Sequence, residues 1–313
     1  MATFLDFEKP IAELEARVAE LRETASSGSI NIENEVQRLE ERAEKLLLET
    51  YSRLTPWQKT QVARHPERPH FKDYVAGLIE DFVPLAGDRA FGEDEAIVGG
   101  LGKLGGRRIL LIGHEKGDDV TSRIRHNFGM AKPEGYRKAV RLMHLADRFR
   151  LPIVSLVDTS GAFPGVQAEE RGQAEAIARS TEACLSLGVP LIAAIVGEGG
   201  SGGAIAIAAA NRVLMLEHSV YSVISPEGCA SILWRTAEKA SEAAEAMKMT
   251  AGDLVQLGIV ERVVAEPVGG AHRQRGEAVK ALGAALGEEL DALAPLSCEQ
   301  LRSDRRNKFL KIA

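Results

Sequence analysis

Leu191-Ile-Ala-Ala-Ile-Val-Gly-Glu-Gly-Gly-Ser-Gly-Gly-Ala-Ile-Ala-Ile-Ala-Ala-Ala210 is the stretch that decides the fold of this 313-residue chain. The apolar run Leu191–Val196 is short, partly β-branched and bounded by glycine, so it reads as a buried strand. Gly197–Gly203 closes it, and Ala204–Ala210 reads as a helix. The same order occurs upstream. Ile153-Val-Ser-Leu-Val157 is a β-branched run, Asp158-Thr-Ser-Gly-Ala-Phe-Pro-Gly165 ends it, and a helix is predicted from Ala168 to Leu187. Strand–glycine loop–helix units in series require parallel strands with crossover helices. Ligands bind such sheets at the carboxyl edge of the strands, where both glycine loops fall. Further strands are predicted at Val213–Leu216, Tyr221–Ile224 and Ile259–Val264. Gly99-Gly-Leu-Gly-Lys-Leu-Gly-Gly106 reads as the turn of a β-hairpin between Ala96-Ile-Val98 and Arg107-Arg-Ile-Leu-Leu-Ile-Gly113. A phosphate loop is disfavoured there, because no helix follows and no Gly-Lys-Ser/Thr is present. The class is α/β.

The chain ends read as helices. Ile11, Leu14, Val18 and Leu21 recur at helical spacing, as do Ile32, Val36, Leu39, Ala43 and Leu46. The Ser26-Ser-Gly-Ser29 turn joins these amphipathic segments, whose apolar faces are too narrow to fold alone. Such an arm packs on a partner or caps its own domain, and the sequence leaves both open. Residues 272–293 read as an amphipathic helix with Val279, Leu282, Leu286, Leu290 and Leu293 on one side, for the core or an oligomer contact. The expected organisation is an arm over 1–29, a domain over 30–293 with its leading helix, and a tail over 294–313.

Composition excludes several classes. The first 50 residues hold 12 acidic and 6 basic side chains, a net of −6 that equals that of the whole chain. Of the 30 glycines, 18 fall in two windows, 87–117 and 161–203, among apolar runs and not in a repeat, which excludes a disordered or collagenous chain. No apolar run is long enough to span a membrane. The first residues lack a secretory pattern, so a cytoplasmic protein is expected. Cys184, Cys229 and Cys298 are scattered, and the seven histidines show no ligand spacing, so neither disulfide nor metal is expected. The stretch 120–141 carries Arg123, Arg125, Lys132, Arg137, Lys138 and Arg141 against Glu134, suited to a polyanionic ligand, a solvated helix face or a subunit contact. Net negative charge without interleaved aromatics argues against nucleic acid.

Gly197-Glu-Gly-Gly-Ser-Gly-Gly203 fits three chemistries. Gly197, Gly199 and Gly202 match the dinucleotide fingerprint, with Glu217 where a ribose acid would sit. Gly199-Gly-Ser-Gly-Gly203 matches a nucleophile elbow, with Ser201 followed by Asp253 or Glu261 and then His272. Alternatively, glycines at a helix start offer unobstructed N–H groups to an oxyanion. A purely structural glycine turn is the plain alternative to all three.

Longer motifs narrow the choice. Asp158–Gly165, Ala168-Glu-Glu-Arg-Gly-Gln173, Gly197–Gly203 and Tyr221-Ser-Val-Ile-Ser-Pro-Glu-Gly-Cys-Ala-Ser-Ile-Leu-Trp234 resemble the α subunit of the carboxyltransferase component of bacterial acetyl-CoA carboxylase. Trp57-Gln58, Ala63-Arg-His-Pro-Glu-Arg-Pro69, Asn127-Phe-Gly-Met130, Pro133-Glu-Gly-Tyr-Arg-Lys138 and Gly269-Gly-Ala-His-Arg273 extend the likeness over nearly the whole chain. Ser160 departs from the family's usual proline, and Ala131-Lys132 is a variable spot. The resemblance implies a crotonase-like fold of repeated ββα units, with an N-terminal helical extension and a C-terminal amphipathic helix. It implies an α2β2 assembly with a zinc-ribbon β subunit, served by a biotin carboxyl carrier protein and by a biotin carboxylase that uses the ATP. The implied reaction carries a carboxyl group from carboxybiotin to acetyl-CoA, giving malonyl-CoA, with no cofactor bound covalently to this chain. The resemblance assigns the N–H groups of Gly202 and Gly203 to the biotin ureido oxygen. Gly161 and Ala162 would line the neighbouring wall of the substrate site, with Phe163 and Pro164 shaping the slot, unless this segment is a purely structural turn. Arg123, Arg125 and Arg137 would meet CoA phosphates.

Overall fold

The computed structural model describes residues 3–27 and 33–312. The expected turn at Gly28 and the boundary at 29/30 lie outside the described residues. Chain order begins with α1 (Lys9–Ser27), α2 (Glu33–Tyr51), α3 (Pro56–Ala63) and α4 (Phe71–Leu78). Then come β1 (Ile79–Pro84), β2 (Ile97–Leu104), β3 (Arg107–His114), α5 (Val120–Arg125) and α6 (Pro133–Phe149). The central units are β4 (Ile153–Thr159), α7 (Val166–Glu170), α8 (Gln173–Ser186), β5 (Leu191–Gly200) and α9 (Ser201–Ala208). β6 (Arg212–Leu216), β7 (Val220–Ser222), α10 (Pro226–Trp234), α11 (Ala240–Ala246), α12 (Ala251–Gln256) and β8 (Arg262–Val264) follow. The chain closes with α13 (Arg275–Leu293) and α14 (Cys298–Leu310).

One mixed sheet runs β1-β2-β3-β4-β5-β6-β8, with β7 paired to the far half of β5. β1, β2 and β3 are antiparallel neighbours, and every later pairing is parallel. Period-2 alternation sorts the side chains to two faces. Leu110, Ile112, Ile153, Val157, Ala193, Ile195 and Met215 meet α6, α8 and α9 on one face. Ile109, Leu111, Val154, Leu156, Ile192, Ala194 and Leu214 meet α4, α13 and α14 on the other. Every residue of β4 and β5 is buried, as expected of central parallel strands covered on both faces.

Three local readings change. The hairpin turn is only Gly105-Gly106, both at positive φ (+55° and +76°), which suits a two-residue connection between twisted strands. Gly99, Gly100 and Gly102 belong to β2 itself. The helix expected from Ala168 is two helices, broken at Gly172, whose φ is +81°. β5 does not stop at Val196. It continues through Gly200, because β7 supplies a second ladder that pairs Glu198, Gly199 and Gly200 with Val220, Tyr221 and Ser222.

Both termini pack on the chain itself. Arg273 donates to Glu15 at 2.7 Å, Tyr51 donates its hydroxyl to Glu8 at 2.9 Å, and the His65 ring contacts the Thr3 carbonyl at 2.9 Å. The segment 294–313 carries α14, with Leu301 and Arg305 buried. The Arg305 guanidinium donates to the carbonyls of Leu187 and Val189 and to the Asn211 side chain.

Candidate active site

Two loops meet at the carboxyl edge of β4 and β5, and they touch backbone to backbone. A Cβ on Gly203 would lie 2.7 Å from the Gly161 carbonyl carbon and 2.9 Å from the Ala162 nitrogen. A Cβ on Gly200 would lie 2.2 Å from the Ser160 oxygen. Glycine at 203 is therefore required for the loops to pack, and not only to keep a substrate's approach open. By contrast, a Cβ on Gly202 would meet only Ile177, at an ordinary 3.5 Å.

The hydrogen bonds of the first loop show which N–H groups are left over. The Gly161 N–H donates to Thr159 Oγ1 at 3.1 Å, and that hydroxyl donates to the Gly161 carbonyl at 2.8 Å. The Phe163 N–H donates to the Ala131 carbonyl at 3.0 Å, while Gln173 Nε2 donates to both Ala131 O and Phe163 O. Between them the Ala162 N–H has no acceptor among the described residues. On the facing side α9 starts at Ser201, and its N-cap Gly200 offers no side chain. First-turn N–H groups have no intrahelical acceptor, and the helix dipole adds partial positive charge there. Ala162, Gly202 and Gly203 thus supply spare N–H groups on two facing backbones.

Beside these loops lies a cleft of about 410 Å³, lined by Arg64, His65, His70, Lys116, Arg123, Phe128, Asp158, Ser160 and Glu198 among others. Lys116 Nζ sits 2.6 Å from Asp158 Oδ1, and the Glu198 N–H donates to the same oxygen at 2.9 Å. Burial works to raise the Asp158 carboxyl, but Lys116, His70 and the Glu198 N–H outweigh it and hold it well below the usual carboxylate range. Arg64 donates two hydrogen bonds to Glu198 Oε1, at 2.6 and 3.1 Å, and another to Glu227 of α10 at 2.6 Å. Burial would lower the Arg64 guanidinium; these two carboxylates raise it instead. His114, fully enclosed under the loops, is pushed down to about 3 by burial, against opposing contributions from Asp158 and the Gly203 backbone. It is neutral at physiological pH.

The structure sorts the predicted residues. Gly161, Ala162, Phe163, Gly202 and Gly203 come together, with Phe163 under the Lys132 ammonium at 5.2 Å. Arg123 lines the cleft; its one side-chain hydrogen bond among the described residues is a 3.4 Å contact from Nε to the Gly117 carbonyl. Arg125 pairs with Glu95. Arg137 bonds Asp88 at 2.9 Å, Glu134 at 3.0 Å and the Arg171 carbonyl at 3.1 Å. Lys138 pairs with Glu93, and Arg141 donates to the carbonyls of Leu85, Ala86 and Gly87. The basic stretch therefore spreads over a structural network, because α6 turns its cations toward the 85–94 loop.

The two rival chemistries are not assembled. Asp253 is spent on Thr250, Glu261 on Lys308 and the Val213 N–H, and His272 stacks on His65 beside Glu8. Ser201 thus lacks the acid and base that follow it in sequence. Gly197 and Gly199 lie inside β5, whereas a dinucleotide fingerprint needs them in the turn, and Glu217 receives the Glu266 N–H. Lys116, His70, Arg64 and the paired acids Asp158 and Glu198 went unassigned in the sequence. Arg64, Asp158 and Glu198 lie within the motifs quoted above, and the two acids stand where an apolar run meets a glycine loop, while Lys116 and His70 carried no such signal.

Comparison with known proteins decides the family. The family model for acetyl co-enzyme A carboxylase carboxyltransferase-like proteins matches residues 4–313. The chain belongs to this family. A relative from Rhizorhabdus wittichii, an acetyl-coenzyme A carboxylase carboxyl transferase subunit alpha, is 75% identical over 312 residues, covering all of both chains. One of the same name from Zymomonas mobilis is 69% identical over 312 residues, all of this chain and 99% of the relative. Among solved structures, the β subunit of Pseudomonas aeruginosa geranyl-CoA carboxylase superposes with a TM-score of 0.58 at 18% identity, over 79% of this chain and 46% of that one. The transcarboxylase 12S core gives 0.56 at 22% identity, over 72% and 44%. These two likenesses bear on the fold alone, which is the crotonase type shared by carboxyltransferases. The chain is an enzyme subunit of the carboxyltransferase class. Among the described residues no helix is long and apolar enough to cross a membrane.

Proposed function

We propose that this chain is the α subunit of an acetyl-CoA carboxylase carboxyltransferase, which moves the carboxyl group of carboxybiotin to acetyl-CoA and forms malonyl-CoA in the cytoplasm. It works in an α2β2 assembly with a zinc-ribbon β subunit. Biotin arrives on its carrier protein, and a separate biotin carboxylase consumes the ATP. The spare N–H groups of Ala162, Gly202 and Gly203 on two touching backbones carry this reading. The two backbones touch so closely that a Cβ at 203 would lie 2.7 Å from the Gly161 carbonyl carbon and 2.9 Å from the Ala162 nitrogen.

Carboxybiotin supplies the carboxyl group and, on losing it, a ureido anion able to take the methyl proton of acetyl-CoA. The chain's task is then electrostatic. Gly202 and Gly203, with the Ala162 N–H beside them, would donate to the ureido oxygen as negative charge grows there. Losing one such donor typically costs about 2.7–4 kcal/mol of barrier. Phe163, pinned through its backbone by Ala131 and Gln173, shapes the wall of the slot. Of the three arginines offered for CoA, Arg123 alone keeps a guanidinium on the cleft without a carboxylate among the described residues, so it is the phosphate contact in this reading.

The test is turnover of malonyl-CoA and biocytin by the purified chain with and without its β partner. Activity is expected only for the pair. Turnover by the chain alone would overturn the two-chain reading, and no turnover by the pair would overturn carboxyl transfer.

A further inference from the structure

β4 and β5 lose register at one place. Their pairing passes from Val157↔Ile195 directly to Thr159↔Gly199, with one residue between on β4 and three on β5. Asp158 is that one residue. Its carboxylate accepts the Glu198 N–H at 2.9 Å, inside the gap where the ladder fails. The contact is close: a Cβ on Gly197 would lie 2.4 Å from Asp158 Oδ1. Lys116 meets the same oxygen at 2.6 Å. Its stem is held as well, since a Cβ on Gly129 would lie 2.9 Å from Lys116 Cγ and 2.8 Å from the Asp158 carbonyl oxygen.

We propose that Lys116 and Asp158 are a positioning pair that sets the spacing of the Ala162 loop and the start of α9, so that their N–H groups meet one anion. The inference rests on the carboxyl-transfer reading of the site. Asp158 leads through Thr159 into the Gly161 turn, and Glu198 leads through Gly200 into α9, so one carboxylate ties both loops at their roots. Neither side chain is assigned to the anion; both act through the backbone.

The groups facing Asp158 are Lys116 beyond β3, His70 at the head of α4 (3.8 Å), His114 in β3, the Glu198 N–H, and Arg68 and Tyr74 at longer range. Removing the Lys116 charge leaves burial opposed only by His70 and the Glu198 N–H, so the carboxyl moves up toward protonation. A protonated Asp158 is a weaker acceptor for Glu198. Lys116→Met should therefore lose activity as pH falls, whereas Asp158→Asn has no carboxyl to titrate and should not show that added limb.

The experiment uses the full chain assembled with its β partner, assayed with malonyl-CoA and biocytin from pH 6 to 9, alongside thermal melts. Turnover by the native pair is measured first, so failure of the carboxyl-transfer reading is seen before any variant is made. Lys116→Met and Asp158→Asn should lower kcat by about tenfold or more with KM within about twofold. Lys116→Arg should restore most of kcat. The acid limb should appear in Lys116→Met, persist in Lys116→Met/His70→Gln and vanish in Lys116→Met/Asp158→Asn. Three results would overturn the proposal: kcat within twofold of native in both single variants, kcat and KM changing in step with a lost melting temperature, or no rescue by arginine. If the neutral variants do not fold, the arginine variant decides, since it must fold and retain most of kcat.

Discussion

Exchanging Gly203 for alanine should separate the anion cradle from an ordinary helix start, with Gly202→Ala as its internal control. The new Cβ at 203 meets three backbone atoms, at 2.7, 2.9 and 3.1 Å, none of which belongs to a side chain that can rotate away. Normal contact needs roughly 3.4 Å or more, so one loop must retreat by about 0.5 Å or more. Overpacking of this kind costs about 1–3 kcal/mol. The same displacement takes N–H donors out of the narrow range in which they stabilise an oxyanion, a loss of about 10²–10³ in kcat. At Gly202 the new methyl meets only Ile177 at 3.5 Å, and alanine favours a helix over glycine by about 0.5–1 kcal/mol. The assay is kcat on malonyl-CoA and biocytin for each variant paired with the β subunit, with melting curves of both. Gly203→Ala should lose kcat by at least a hundredfold and melt lower, while Gly202→Ala should melt at or above native with a smaller loss. Equal kcat in the two variants, or a native-like Gly203→Ala, would refute the cradle between the loops.

Arg123→Ala should raise KM for the CoA substrate about tenfold while leaving the melting temperature unchanged, whereas Arg137→Ala, which strips Asp88 and Glu134 of a cation, should cost about 2 kcal/mol of stability with KM intact. Kinetics and denaturant titration of both variants check this. Ser201→Ala should keep substantial activity, and the native chain should take no fluorophosphonate label; loss of turnover in the variant would revive a nucleophile. Burial acts to raise Glu8, but His272, the Leu5 N–H and Tyr51 bring it to about 2, so its folded value lies below its unfolded one. Its contribution to stability is then fully present above the unfolded value, near 4.5, and is lost as pH falls toward 2. Glu8→Gln should flatten acid melting curves across that window; an unchanged slope would count against the tie between arm and domain.

Much of the fold was legible because hydrophobic periodicity is local. Leu191–Val196 is a continuous apolar run and Ile153–Val157 is broken only by Ser155, a pattern that suits strands covered on both faces. The end of β5 was not legible. Gly197–Gly200 look like loop in isolation, yet they are strand because β7 supplies partners for Glu198, Gly199 and Gly200 from Val220, Tyr221 and Ser222. Pairing over that distance leaves no mark on the glycines themselves. The helix break at Gly172 was equally hidden within a run of good helix formers.

The site divides in the same way. Its two loops could be named from motif and spacing. Which N–H groups are free could not, since that depends on Thr159 capturing Gly161 and on Ala131 and Gln173 holding Phe163. The basic stretch misled for a related reason: charge density along a sequence does not say where each cation finds its acid. Arg125 and Arg137 find theirs in the 88–95 segment and at Glu134, and Arg123 does not. By itself the sequence determined the family, the central strand–loop–helix units, and the pair of glycine loops at one sheet edge, because these follow from local pattern. Only the tertiary structure decided that Gly203 faces Ala162 and that Asp158 ties the two loops together, because contacts between distant segments depend on how the whole sheet is laid down.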